Sequence, residues 1–135
     1  MIRPNLTVST HDARRLEALL QGQTGRDAPM AGLLEQELAR ATLVEPTAVP
    51  ANVVTMHSRV VCRDENSGEQ HDVELVYPGE ADADLGRVSV FAPLGAALLG
   101  LTVGDAIDWP VPGGRTTRVR VMAVPYQPVT TQLVD

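Results

Sequence analysis

Three histidines and one cysteine are the residues of this sequence best suited to bind a transition metal. No two of His11, His57 and His71 stand four residues apart, the spacing that places two zinc ligands on one helical face. His57 and His71 could still meet across a strand pair, with Cys62 as a third ligand. The simpler interpretation is three solvated or capping histidines and a cysteine packed as a small apolar side chain. We therefore predict no metal site and no cofactor.

The acidic pairs and the glycine-rich turns also lack a catalytic arrangement. Glu35 and Glu37 lie two residues apart on a predicted helix, so they do not face each other. Asp82 and Asp84 lie in a polar loop, where solvation explains them. The glycine pair at 113–114 is followed by no lysine, as a phosphate-binding loop would require. The sequence therefore predicts a protein without enzymatic activity.

Charge and hydropathy exclude further classes. The formal net charge is -6, and all 11 basic residues are arginines. Because nucleic-acid binding depends on neutralising phosphates with Lys and Arg, we predict no direct nucleic-acid contact. A single cysteine permits no internal disulfide, which fits a reducing compartment. With no secretory signal and no run of ~20 apolar residues, we expect a cytoplasmic monomer that does not associate with membranes.

Helical periodicity marks the first third of the chain. Ser9 or Thr10 can cap a helix, and Asp12 places an acid in its first turn. Apolar residues recur at helical spacing in two runs, Ala13, Leu16, Leu19 and Leu20, and then Ala31, Leu34, Leu38 and Ala41. A polar loop separates the runs, and prolines follow the second one. This pattern predicts a short antiparallel helical hairpin, coiled-coil-like, with Arg26 and Asp27 at its tip.

From residue 51 the apolar residues alternate with a period of two, which indicates strands. We expect strands at 53–62, 73–77, 88–91, 106–109 and 116–124. Pro93 can open one short helix, and Gly100 can end it. The predicted fold class is therefore α+β. A helical hairpin occupies residues 1–50, and a mostly antiparallel sheet with one short helix occupies residues 51–135.

Two stretches resemble a known family. One is VVTMHSRV at 53–60, and the other is SVFAPLGAALLGLTVGDAIDWPVPGGRTTRVRVMAVPY at 89–126. Together with Leu-Val-Tyr-Pro at 75–78, they resemble the regulators of nucleoside diphosphate kinase, which are similar to the Gre transcript-cleavage factors. The order of the elements matches as well, so the resemblance covers essentially the whole chain.

The resemblance implies a fold and a site. The C-terminal domain of Gre factors has an FKBP-like fold, a twisted antiparallel sheet wrapped on a short helix. In those factors a Ser-Pro segment at the start of this helix contacts the rim of the RNA polymerase secondary channel. The matching positions here are Phe91, Ala92 and Pro93, although the serine is absent and Phe91 replaces a polar residue.

The N-terminal third departs from the Gre pattern. Gre factors carry a long coiled coil whose tip acids help to hold a catalytic magnesium in the polymerase active site. Here the first helix has about 11 residues, or ~16 Å, and the tip offers Asp27 without a second nearby acid. The resemblance therefore implies a polymerase-binding regulator that competes with Gre factors, stimulates no transcript cleavage, and alters nucleoside diphosphate kinase levels indirectly.

Two alternatives belong to other classes. An FKBP-like fold could indicate a peptidyl-prolyl isomerase, but such enzymes hold proline in an aromatic pocket. This chain has four aromatic residues, of which Tyr77, Phe91 and Trp109 lie in predicted strands. Direct regulation of a kinase by protein contact is the other alternative.

Overall fold

We describe the fold from a computed structural model, which covers residues 5–21, 28–111 and 114–127. The predicted tip residues, Arg26 and Asp27, lie outside these ranges. Three helices and seven strands make up a mixed α+β fold in the described part of the chain, as the sequence predicts. Within it, no helix is both long and apolar enough to cross a membrane.

The N-terminal unit contains two helices flanked by two short strands. Strand β1 (Thr7–Ser9) leads into α1 (Thr10–Leu20), and α2 (Ala28–Arg40) leads into β2 (Thr42–Val44). Ser9 is the N-cap of α1, because its Oγ accepts a hydrogen bond from the backbone N–H of Asp12 at 3.0 Å.

Strand β2 was not predicted, because its three residues carry no recognisable alternation. It pairs with β1 in parallel, so the two strands join the beginning of α1 to the end of α2. We call residues 7–44 the helical unit.

The segment between this unit and the sheet differs from the prediction. Pro46–Ala48 forms one turn of 3-10 helix. The expected strand at 53–62 begins only at Arg59, because the backbone turns sharply at Thr55–Ser58, where His57 has a φ of 66°. The hydroxyls of Thr55 and Ser58 lie 2.8 Å apart in this buried turn, which we call the junction turn.

Five strands form the main sheet: β3 (Arg59–Asp64), β4 (Gln70–Val76), β5 (Arg87–Ser89), β6 (Ala106–Val111) and β7 (Arg115–Tyr126). Their order is β5-β4-β3-β7-β6, and every pairing is antiparallel except that of β4 with β5. Val90 and Phe91 were expected to continue β5, but they lie beyond its end in a turn. Helix α3 (Pro93–Leu98) follows and contacts β5, β6 and β7. We call residues 59–126 the sheet unit.

One apolar core runs through both units. Val60 and Cys62 of β3, and Val119 and Val121 of β7, belong to one buried cluster with residues of α3. Leu16 of α1 belongs to the same cluster and is fully buried. Because neither short helix is stable alone, this shared packing is what holds the helical unit in place.

Candidate functional site

The predicted docking residues lie in the tight connection between β5 and α3. Ser89 organises this connection: its Oγ accepts the backbone N–H of Phe91 at 3.0 Å, and its carbonyl oxygen accepts the N–H of Ala92 at 2.9 Å. Pro93 then occupies the first position of α3, where its missing N–H has no cost. Sequence reasoning missed Ser89, although a serine before a turn is a recognised signal for such hydrogen bonds.

Helix α3 lies against the end of β5 because residue 95 has no side chain. A Cβ built on Gly95 would lie 2.1 Å from the carbonyl oxygen of Ser89 and 3.1 Å from Cδ1 of Leu75. Only glycine permits this approach. The close contact fixes the direction in which Ala92 and Pro93 leave the sheet.

The three predicted docking residues are adjacent, but they differ in exposure. Phe91 is only 7% exposed and packs in the core, whereas Ala92 and Pro93 are partly exposed. Ala92 and Pro93 therefore offer surface to solvent, whereas the Phe91 ring does not. This difference in exposure could not be predicted from the residue types, since all three side chains are apolar.

Two of the four aromatic side chains lie in the core rather than at the surface. The rings of Tyr77 and Phe91 are 5% and 7% exposed, and both belong to the core cluster. A groove of about 350 Å³ lies on the sheet beside Leu85 and Pro125, and none of its lining residues is aromatic. Neither of these two rings is open to a ligand, and this groove offers a proline side chain no aromatic wall.

The acidic residues of the two helices have separate environments. Glu37 is buried and pairs with Arg40 at 2.7 Å, whereas Glu35 is exposed. Glu35 and Glu17 line opposite sides of a cleft of about 260 Å³ between α1 and α2. Over residues 5–21, 28–111 and 114–127, no three His, Cys, Asp or Glu side chains form a group able to hold a metal ion.

The alternative metal hypothesis required His57 and His71 to meet across a strand pair, but His71 lies opposite Cys62 on β3 and β4, and His57 lies in the junction turn. Cys62 is nevertheless fully buried, and burial raises the pKa of its thiol to about 11. His57 bonds to Glu80 instead, with 2.8 Å between Nε2 and Oε1. The three side chains thus form no metal-binding group among the described residues, and Cys62 is an inert thiol.

The junction turn connects the helical unit to the sheet unit through Asp12. The carboxylate Oδ2 of Asp12 accepts the backbone N–H of Met56 at 3.2 Å, and the side chain is 5% exposed. Burial is the main cause that raises the pKa of Asp12, and it outweighs the opposing Met56 hydrogen bond and the nearby His11 and His57. Sequence analysis identified Asp12 only as a first-turn acid.

Tyr77 lies beside this contact. The guanidinium of Arg15 stands over its ring at 4.1 Å, and the ring of His57 meets it edge-on at 5.5 Å. The hydroxyl of Tyr77 is buried and has no hydrogen-bond partner among the described residues. Desolvation is the main cause that raises the pKa of this phenol, and the charge of Asp12 adds to it.

A separate ionic network crosses the outer face of the sheet. Glu65 pairs with Arg118 at 3.1 Å and with Arg120 at 3.0 Å, and Arg118 also pairs with Asp108 at 3.2 Å. The hydrogen bond from Arg120 is the main cause that lowers the pKa of Glu65. On the same strand, Val119 and Val121 are buried and alternate with these two arginines. Because the arginines are paired within the sheet, they do not form a free basic surface.

Comparisons with known proteins agree with this architecture. Residues 49–126 match the family model of the C-terminal part of the transcription elongation factors GreA and GreB, and residues 4–44 match the model of the Rnk N-terminus. The chain therefore belongs to the GreA/GreB-like family and, within it, to the regulators of nucleoside diphosphate kinase.

Individual relatives support the assignment. The chain is 43% identical to the regulator of nucleoside diphosphate kinase of Escherichia coli K12, over 95% of this chain and 94% of that protein. It is 34% identical to the transcription elongation factor GreA of Mesorhizobium japonicum, over 77% of this chain but only 62% of that longer protein. A solved structure from Nitrosomonas europaea, a prokaryotic transcription elongation factor GreA/GreB, superposes with a TM-score of 0.72 at 46% identity, covering 92% of this chain and all of the other.

Proposed function

We propose that this protein is a non-enzymatic transcription regulator that binds RNA polymerase at the rim of the secondary channel. In this proposal the sheet unit docks through Ala92 and Pro93, supported by Phe91, and the helical unit occupies the channel mouth. The protein then competes with Gre factors for one site, and any effect on nucleoside diphosphate kinase follows from transcription. We also propose the domain division at residue 50, an FKBP-like fold for residues 51–135 and a helical hairpin for residues 1–50.

The observation that carries the proposal is the length of the helical unit. Helices α1 and α2 have 11 and 13 residues, which correspond to about 16 and 20 Å at 1.5 Å per residue. A projection of that length does not reach an active site deep in a channel. We therefore propose occupation of the channel mouth without stimulation of transcript cleavage.

Binding is tested by titrating purified polymerase with the labelled protein and then adding a Gre factor as competitor. We expect saturable binding that the Gre factor displaces. Replacing Pro93 with Asp should abolish binding and leave the fold intact, because an acid is favourable in the first turn of a helix. Leu85→Asp is the matched control, since Leu85 is 63% exposed and lies outside the proposed docking surface. Equal binding by both variants would contradict the proposed surface.

The absence of cleavage stimulation needs its own assay. Stalled elongation complexes are incubated with this protein, with a Gre factor, or with both. We expect no shortened transcripts with this protein alone, and less cleavage in the mixture than with the Gre factor alone. Transcript shortening by this protein alone would refute the non-cleaving role, even if the docking experiment succeeded.

Direct contact with the kinase is a second candidate, because the similar protein of Escherichia coli K12 is named a regulator of nucleoside diphosphate kinase. Co-elution of this protein with the purified kinase distinguishes the two routes. A stable complex in the absence of polymerase would favour direct regulation, whereas separate elution favours the transcriptional route.

A further inference from the structure

The contact between Asp12 and the junction turn joins the two units of the fold at a buried charge. Backbone hydrogen bonds fix this turn and the residue before it. Val54 N–H donates to Leu101, and Gly100 N–H donates to Val54. His57 N–H donates to Leu75, Leu75 N–H to Ser58, and Ser58 N–H to Thr55. The N–H of Met56 is left for the Asp12 carboxylate. Asp12 of α1 therefore contributes a side-chain hydrogen bond to a turn whose backbone is otherwise hydrogen-bonded to residues of the sheet unit and within the turn itself.

The groups around Asp12 do not neutralise it. Ser9, at the end of β1, and His11 of α1 act on the Asp12 carboxyl, and the junction turn contributes His57. Arg15 of α1 acts on the neighbouring Tyr77. The neighbouring turn contributes Tyr77 and Glu80, which bears a negative charge of its own and is already paired with His57. Helix α2 carries the ion pair of Glu37 with Arg40.

Burial outweighs the Met56 hydrogen bond and the nearby histidines, so the pKa of Asp12 is raised above 3.8. A raised folded-state pKa means that the neutral carboxyl stabilises the folded form. That stabilisation is complete below pH 3.8, the value for an unperturbed Asp, and is lost as the pH rises through the folded-state pKa. The ionised carboxylate keeps its bond to Met56 but must remain charged in a largely dry environment.

We propose that Asp12 makes the junction between α1 and the sheet unit a proton-sensitive contact, which is tight when the carboxyl is neutral and opens more often when it is ionised. The inference does not depend on polymerase binding, because it concerns the isolated chain. Its consequence is that the extent to which α1 opens from the junction turn varies with pH.

The wild-type protein gives the first test, by ¹³C NMR titration of the Asp12 carboxyl group with the Met56 amide as a second reporter. We expect one midpoint above 3.8 that both nuclei share. A midpoint at or below that value, or a Met56 amide that does not follow the carboxyl, would overturn the proposal. This measurement requires no variant to fold.

Amide hydrogen exchange in α1 supplies the second test, after correction for the intrinsic exchange rate at each pH. In the wild type the opening constant should rise by at most about tenfold per pH unit, the limit for one proton. Asp12→Asn keeps an acceptor oxygen for Met56 but carries no charge, so the rise should disappear. Glu17→Gln removes an exposed acid from the same helix and should keep it. Retention of the rise in Asp12→Asn, or its loss in Glu17→Gln, would contradict the inference.

Discussion

A methyl group added at Gly95 should destabilise the protein, although helix propensity alone predicts the opposite. Alanine is favoured over glycine in helix interiors by up to about 1 kcal/mol. The added Cβ would lie 2.1 Å from the Ser89 carbonyl oxygen. Real Cβ atoms essentially never approach another heavy atom more closely than 3.0 Å. The atom that it meets belongs to the backbone of β5, so no side-chain rotation can relieve the contact.

The magnitude follows from the displacement that Gly95→Ala requires. Helix α3 and β5 must separate by about 1 Å, and overpacking of this kind typically costs about 1–3 kcal/mol. We expect a net loss of about 2 kcal/mol in the free energy of unfolding. In urea, with a slope of roughly 2 kcal/mol per molar, the midpoint should fall by roughly 1 M.

Gly32→Ala is the matched control for this prediction. Gly32 lies within α2, and a Cβ there meets nothing within 4 Å. It should therefore stabilise the protein by a few tenths of a kcal/mol up to about 1 kcal/mol. Opposite shifts of the urea midpoint in the two variants, at an unchanged slope, support the reasoning. Equal shifts in the same direction would refute it, because propensity rather than close packing would then decide the outcome at Gly95.

Three further predictions concern the same core and loop. Ser89→Ala removes the acceptor of the Phe91 N–H and should lower the free energy of unfolding by about 1 kcal/mol in urea titrations; an unchanged midpoint would argue against that role. Leu16→Ala should lower the free energy of unfolding by about 2–5 kcal/mol, and the helical and sheet signals should be lost together in thermal unfolding. Leu43→Ala, at a position 49% exposed, is the control and should change stability little. Tyr77→Phe removes a buried hydroxyl without a partner and should leave the melting temperature unchanged or raise it; a clear decrease would reveal a partner for that hydroxyl.

Local rules in the sequence were sufficient for several elements. Each of these elements depends on residues that are close in sequence, so it can be predicted without knowledge of the rest of the chain. They are the cap at Ser9, the proline that begins α3, and the period-two alternation of β4 and β7. The resemblance of two stretches to a known family also predicted the family to which the chain belongs, and the comparisons confirm it.

The junction turn shows where local rules fail. Val53, Val54 and Met56 are buried as the apolar pattern required, but the chain turns instead of continuing as a strand. An apolar run specifies burial, whereas the turn is stabilised by hydrogen bonds to Leu75 and Asp12, which are distant in sequence. Only the tertiary structure brings these partners together.

The candidate site divides in the same way. The sequence determined that the chain is acidic and lacks lysine, and that two short helices precede the sheet. It also determined that Pro93 begins a helix. The tertiary structure decided that Phe91 packs inward while Ala92 and Pro93 reach the surface, and that Asp12 becomes a buried charge. Burial depends on which surfaces meet after folding, so side-chain exposure and the pKa of Asp12 are properties of the assembled core rather than of any stretch of sequence.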